Sequence, residues 1–317
     1  MQGISSPQPN LRRLGYIVAV ADYGSITNAA ARLHVSQPAI SAAIKDCEHM
    51  FGFRLFVRNP AQGVALTPNG RAFVSRAKRL LDDAREFQAQ AMGLSSVPAG
   101  RLEVGCFTPL APVVMPTLIE GLGEDFPDIS IQLHEGDLRE VIGLVKSGVV
   151  EVAITYDIYR DAAVAFSTLL EVTPHVCLSA KDPLATETSV SLAQLIERDM
   201  VALDFLATDE YVLDMFRHRG LEPNVRYRTK SAEMMRSLIG VGAGFSIFMF
   251  RPISDRSFDD SPLVHLPIRD KLPKTKVVLA SPHQVIATRI MDAFNTECEK
   301  LISKKHFLEQ FLVKPFK

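Results

Sequence analysis

Two sets of side chains stand at spacings that can do recognition chemistry. The first is Thr27, Asn28, Ser36, Gln37, Pro38 and Ser41, with Lys45 one turn further on and Arg58 beyond it. A glutamine amide donates and accepts at once, which matches the edge that adenine shows in a DNA major groove. Pro38 offers apolar contact, and the serine hydroxyls can bond phosphate or base. Thr27 and Asn28 fall at a helix start, where exposed N–H groups attract anions. Arg58 lies near a turn and can reach a phosphate or the minor groove. The plainer role of Ser36 is a helix cap, and that of Asn28 a solvated helix face.

The second set lies at the ends of expected strands, where α/β proteins bind small molecules. It comprises Thr108 and Leu110, Glu135 and Gly136, Tyr156, Thr208, Ser231 and Glu233, and Phe245. Thr108 and Ser231 stand where helices are expected to begin, so each can offer a hydroxyl to a carboxylate or simply cap the helix. Asp137 reads as a cap. Glu135 has no such structural duty and is the better partner for an amine or hydroxyl. The sequence therefore favours a small effector, a carboxylate that also carries an amine or hydroxyl.

Catalytic signatures are missing. There is no Gly-x-Ser-x-Gly elbow, no phosphate-binding loop and no His-Glu-x-x-His, and Val241–Phe245 lacks a dinucleotide-binding glycine run. The four cysteines, Cys47, Cys106, Cys177 and Cys298, form no Cys-x-x-Cys pair, so neither a metal site nor a disulfide framework is expected. No catalytic residue, metal or cofactor is assigned. Two alternatives stay open: an architectural DNA-binding protein without effector control, or an α/β enzyme carrying a DNA-binding head.

The elements that position the first set follow from periodicity. Ile26, Ala29, Ala30 and Leu33 share one helical face, as do Ile40, Ile44, Cys47 and Phe51. Ser25 and Ser36 can cap these helices, and Pro38 suits a first turn. The turn between them is His34-Val35, which makes a helix-turn-helix or an ordinary helical hairpin. A helix from Leu11 ends near Gly24, and a hairpin around 59–63 adds a wing. After Thr67-Pro68, the positions Phe73, Ala77, Leu80, Ala84, Phe87, Ala91 and Leu94 keep a heptad spacing, read as a dimerising seam.

Net charge is −1 over 317 residues, but residues 1–94 carry eleven Lys/Arg and six Asp/Glu. The basic part is the candidate for a polyanion. The polar first ten residues do not read as a signal peptide, and no apolar run reaches a membrane span, so a cytoplasmic protein with no membrane partner is expected. From about residue 101, strands alternate with helices, which implies parallel sheets with crossover helices. The units are too many for one small sheet. The expected division is 1–66 winged helix-turn-helix, 67–94 linker helix, 95–100 hinge and 101–317 ligand-binding part. Within the last, subdomain I spans about 101–168 and 275–317 and subdomain II about 169–274, with crossings near Phe166–Val172 and Leu272–Val277.

The segments Ala19–Ser41, Gly52–Arg58 and Leu66–Gly70, including SITNAAARLHVSQPAIS and LTPNG, closely resemble the N-terminal domain of LysR-type transcriptional regulators. The resemblance implies an α/β fold class overall. It implies a winged helix-turn-helix, a linker helix, and an effector region of two α/β subdomains similar to periplasmic binding proteins. It places Gln37 against bases, and Thr108 and Ser231 on the effector cleft. It also implies double-stranded promoter DNA, a small-molecule effector and RNA polymerase as partners, in a homodimer or homotetramer. Two departures stand out. Ala42 and Ala43 replace the polar pair that many members carry after Ser41, and the wing tip lacks a second cation. Both imply fewer phosphate grips.

Overall fold

The computed structural model describes residues 10–59, 63–91, 98–283 and 287–311. They form two compact units, divided near Gly100.

In the N-terminal unit, α1 (Leu11–Tyr23) is capped by Asn10, whose side chain accepts from Arg13 N at 2.9 Å. It stops at Gly24, which takes the left-handed φ of 63° that glycine tolerates. Ser25 caps α2 (Ile26–Leu33), and Ser36 caps α3 (Gln37–Phe51) by accepting from Ala39 N at 3.4 Å. The turn between them is tightened by His34, a non-glycine residue at φ 54°. The wing follows as β1 (Phe56–Asn59) and β2 (Gly63–Leu66), antiparallel, with Phe56 opposite Leu66. Residues 60–62 of the expected wing tip lie outside the described residues.

Ile17, Val20, Ala29, Ile40 and Leu55 are fully buried and form the core of this unit. Removing these apolar surfaces from water, at ~25 cal/mol per Å2, holds the three helices together. Leu33 and Phe51 depart from the expected core faces, being 38% and 42% exposed. Both sit at the last residue of a helix, beyond the packed face. The start of α4 (Pro68–Ala91) is fixed by Thr67, which donates to Arg54 O at 2.7 Å and accepts from Gly70 N at 2.8 Å. Gly70 lies so close to the chain that a Cβ there would stand 2.0 Å from Leu55 O. This accounts for the Thr-Pro-Asn-Gly run.

The second unit holds two subdomains. The first is a five-stranded sheet in the order β4-β3-β5-β12-β6. Its early elements are β3 (Gly100–Phe107), α5 (Ala111–Asp125), β4 (Ile129–Gly136), α6 (Leu138–Ser147), β5 (Val152–Tyr156) and β6 (Val164–Val172). The second subdomain contains β7 (His175–Ser179), the one-turn α7 (Leu192–Leu195), β8 (Asp199–Leu203), α8 (Leu206–Arg217), β9 (Asn224–Thr229), α9 (Ala232–Gly240), β10 (Ser246–Phe248) and β11 (Leu263–Pro267). The chain then returns through β12 (Thr275–Pro282), α10 (Arg289–Ser303) and the one-turn α11 (Lys305–Leu308). In the second subdomain β10-β7-β11 and β8-β9 are joined by a parallel bridge between Met200 and Phe245.

Three expectations need correction. The sheets are mixed and not purely parallel: β3 pairs with β5 and β8 with β9 in parallel, but β12 runs antiparallel to both β5 and β6. The return of the chain from the second subdomain makes this antiparallel pairing. The first crossing does not lie within 166–172, because β6 remains paired with β12 as far as Val172, opposite Thr275. The chain passes over at Thr173-Pro174, and the second subdomain begins at β7. Its strand β11, lying between two loop segments, is an element that the alternation did not reveal.

Candidate functional site

On the N-terminal unit, Ser36, Gln37 and Pro38 are exposed at the N-terminus of α3, and Thr27 and Asn28 are exposed at the N-terminus of α2. The two helix starts meet through one contact: the Thr27 hydroxyl donates to Gln37 Oε1 at 3.3 Å. This bond holds the amide while leaving its NH2 group and a second lone pair on Oε1 available. An amide so held is ready for a bidentate contact with one base. Lys45 is exposed two turns beyond Gln37, and Ser41 is half-buried between them, so the three share one stripe of α3. Asn28 N is taken by the Ser25 cap. The Arg58 backbone pairs with Val64 in the wing; its side chain lies outside what is described.

Two other cations of this unit have internal duties. Arg13 pairs with Asp46 at 3.1 Å, and the Arg32 guanidinium stacks over the Tyr23 ring. Ala42 and Ala43 differ in meaning: Ala42 is exposed, whereas Ala43 is buried in the helix packing. Only Ala42 therefore subtracts from the surface that would face DNA.

The expected seam on α4 divides in two. Ala77 is buried, as is its neighbour Val74, and Lys78 pairs with Asp22 of α1 at 2.7 Å. Of the others, Phe73 and Ala84 are half-buried, while Leu80 is 49% exposed and Phe87 72%. Phe51, Phe53 and Phe73 pack their rings together, with Phe51 and Phe73 centroids 5.2 Å apart. With Leu14 and Leu80 they border an apolar groove of about 490 Å3. Leu94 lies outside the described residues.

In the second unit, a cavity opens where the two subdomains face each other. Phe107, Pro109 and Tyr156 line it from the first, and Met200, Ala202, Thr208, Asp209, Val212, Met235, Ser246 and Phe248 are among those from the second. Phe107 and Phe205 meet across the two halves with centroids 5.9 Å apart, and Arg139 of α6 reaches Glu210 of α8 at 3.5 Å. Three polar atoms of the lining are buried without a hydrogen-bond partner: Tyr156 Oη, Thr208 Oγ1 and Asp209 Oδ1. Burial pushes the Tyr156 phenol far up, so it is a neutral hydroxyl. The other carboxylate oxygen, Asp209 Oδ2, takes Arg228 at 2.6 Å.

Two of the nine expected ligand contacts, Tyr156 and Thr208, line this cavity; the others do not. Thr108 does not begin a helix. Its N–H and its hydroxyl both bond Gly136 O, at 3.0 and 3.3 Å, and α5 starts after Leu110. Leu110 and Phe245 are fully buried in their subdomain cores. Ser231 caps α9, accepting from Met234 N at 3.2 Å. Glu233 is exposed on the same turn, 3.7 Å from Arg236, and Glu135 is exposed on β4. Asp137 is a cap, accepting from Arg139 N and Glu140 N. The residue that sequence reasoning missed is Asp209. The available signal was an acidic residue in the first turn of a helix that follows a buried strand.

All four thiols are free and buried. Burial raises each of them, Cys177 to about 12. Among the described residues no three His, Cys, Asp or Glu side chains converge as a metal site, and no helix is long and apolar enough to cross a membrane.

A capped two-helix reader beside a wing, followed by a long helix and a two-part α/β unit with an internal cavity, defines a DNA-binding regulator with a sensor region. Family comparisons agree. Residues 11–71 match the model for bacterial regulatory helix-turn-helix proteins of the lysR family, and residues 95–301 match the LysR substrate binding domain. The chain belongs to the LysR family of transcriptional regulators.

Among similar proteins, the HTH-type transcriptional regulator CysB of Haemophilus influenzae is 27% identical over 244 residues, covering 75% of this chain and 74% of that one. The hydrogen peroxide-inducible genes activator of Dickeya chrysanthemi is 23% identical over 301 residues, covering 92% and 98%. The crystal structure of HinK, a LysR family regulator from Pseudomonas aeruginosa, is 30% identical with a TM-score of 0.62, covering 93% of this chain and 99% of that one.

Proposed function

We propose that this protein is a cytoplasmic regulator that reads a promoter through Gln37 as a homodimer and changes its DNA contacts when a small molecule fills the cavity around Asp209. The observation that carries the DNA half is the Thr27–Gln37 bond at two exposed helix N-termini. A surface glutamine with no task has no need of an orienting partner. The open groove beside α4 supports the dimer. Phe51 at the end of α3, with Phe73 and Leu80 of α4, leaves apolar surface beside a helix whose remaining faces are polar. A second copy of α4 laid along it would bury that surface. Pairing of dimers into tetramers, and contact with RNA polymerase at the bound promoter, complete the proposal.

The sensor half rests on the cavity. A ligand that prefers one relative arrangement of the two subdomains shifts the population toward it. A thiol sensor, which the peroxide-linked relative brings to mind, is not supported here. Reactive thiols are partly exposed and held as thiolates, and these are buried and raised.

The test is selection of DNA from a random library with the full chain, followed by footprinting of the enriched site. A pseudo-palindromic site that Gln37→Ala no longer protects supports the reading. Enrichment of no sequence above background would refute it.

A further inference from the structure

Resting on the cavity as the ligand site, we propose that its ligand is a compact, largely apolar, uncharged molecule that presents a hydroxyl group to Asp209, and not a carboxylate. The charges around the cavity argue this. Among its lining residues Asp209 is the one charged side chain, and no Lys, Arg or His is among them. An incoming carboxylate would be desolvated inside apolar walls beside Asp209, and the one nearby cation, Arg228, is already engaged by Asp209 and does not line the cavity.

The helix N-termini do not supply a free positive charge either. The first turn of α8 already holds Asp209, that of α9 holds Glu233, and α6 is served by Asp137 and Glu140. Those three positive ends are each answered by a resident carboxylate. The α5 terminus, beside Pro109, holds none but offers little: Leu110 N bonds Phe107 O, Val113 N bonds Leu110 O, and Pro112 has no N–H.

An ammonium is disfavoured for the opposite reason. Arg228 balances Asp209 through Oδ2 at 2.6 Å, so Oδ1 lacks a hydrogen-bond donor and not a countercharge. A second cation would be desolvated for no net gain. A hydroxyl meets the need: it donates to Asp209 Oδ1 and accepts from Thr208 or Tyr156, whose hydroxyls are buried and unpartnered. The free volume is about 30 Å3, well below the ~150 Å3 that holds a benzene-sized guest, so the occupant is small and the walls must yield to admit a ring. Met200, Met235 and Met249 line the space and can reshape around it.

The experiment is calorimetric titration of the full chain with four probes that share one ring: toluene, benzyl alcohol, benzylammonium and benzoate. Wild type, Thr208→Val and Ala232→Phe are compared. Benzyl alcohol is expected to bind about tenfold more tightly than the other three, as one added buried hydrogen bond allows. Thr208→Val should shrink that preference, and Ala232→Phe should abolish binding. Tightest binding by benzoate or benzylammonium that Ala232→Phe still abolishes overturns the ligand class and leaves the cavity standing. Binding that survives Ala232→Phe, or binding of no probe, overturns both. Methyl NMR of 13C-labelled methionine in the wild-type chain gives a second readout. Benzyl alcohol should shift Met200, Met235 and Met249, and shifts confined to other methionines count against the cavity.

Discussion

Gln37 and Thr27 form a pair whose contributions to DNA binding should be coupled. Gln37→Ala removes both hydrogen bonds of a bidentate contact, which costs ~1–3 kcal/mol, or roughly 5- to 150-fold in affinity. Thr27→Val leaves the amide in place and removes the hydroxyl that steadies it at 3.3 Å. Both groups are exposed, so water replaces part of that bond, and the loss is ~0.5–1 kcal/mol. Thr27 acts through Gln37 in this account. The double variant should therefore bind no more weakly than Gln37→Ala alone, giving an interaction energy as large as the Thr27→Val effect. The assay is fluorescence anisotropy on the selected operator at one fixed salt concentration, repeated with the contacted adenine replaced. Strict additivity of the two losses would refute the positioning role. An unchanged affinity in Gln37→Ala would refute base reading by that residue.

Other outcomes follow from the same structure. Lys45→Ala should weaken binding to all sequences alike and lower the slope of log K against log salt by about 1, as expected for one phosphate contact; a sequence-dependent loss would mean that Lys45 reads a base. Gly70→Ala puts a Cβ 2.0 Å from the Leu55 carbonyl, so thermal melting and limited proteolysis should show the N-terminal unit destabilised by ~1–3 kcal/mol. An unaltered melt would mean that the wing and α4 can separate freely. The buried pair His175 and His265, with ring nitrogens 3.0 Å apart, should make stability fall in acid. Burial lowers both, His265 to about 3 with help from Arg251 and Arg236. The unfolded chain therefore takes up protons that the folded one refuses. Stability is complete above the unfolded value near 6.5 and declines as pH falls toward the folded one, by ~1.4 kcal/mol per pH unit for each histidine. Urea melts of the full chain between pH 7 and 5 measure this, and His265→Gln should flatten the dependence.

How much of this was legible in the sequence depends on whether local rules decided the outcome. The caps Ser25, Ser36 and Asp137, the stop at Gly24 and the Thr67–Gly70 corner are local, and each forms as its residue type dictates. Strand β6 and the first crossing were not legible. Its neighbour β12 lies about a hundred residues away, and its mixed burial gives no clean alternation. The residues considered for a ligand divide the same way. Thr108 and Ser231 have the right types at the right loop positions, but backbone groups within reach take their hydroxyls. Asp209 becomes visible only when α8 is folded back against the first subdomain and Tyr156 is placed opposite. Ala43 shows the converse: as sequence it looks like a lost DNA contact, while packing makes it a core residue.

In the proposed mechanism, occupancy of the cavity controls how the chain holds DNA. The direct measurement is a quantitative footprint on the selected operator by wild type and by Ala232→Phe, which fills the cavity from α9 and leaves the sequence of the N-terminal unit unchanged. The filled variant should protect a different length of DNA, or bind with altered affinity, while keeping its Gln37-dependent sequence preference. Identical footprints and affinities from two equally folded proteins would contradict it.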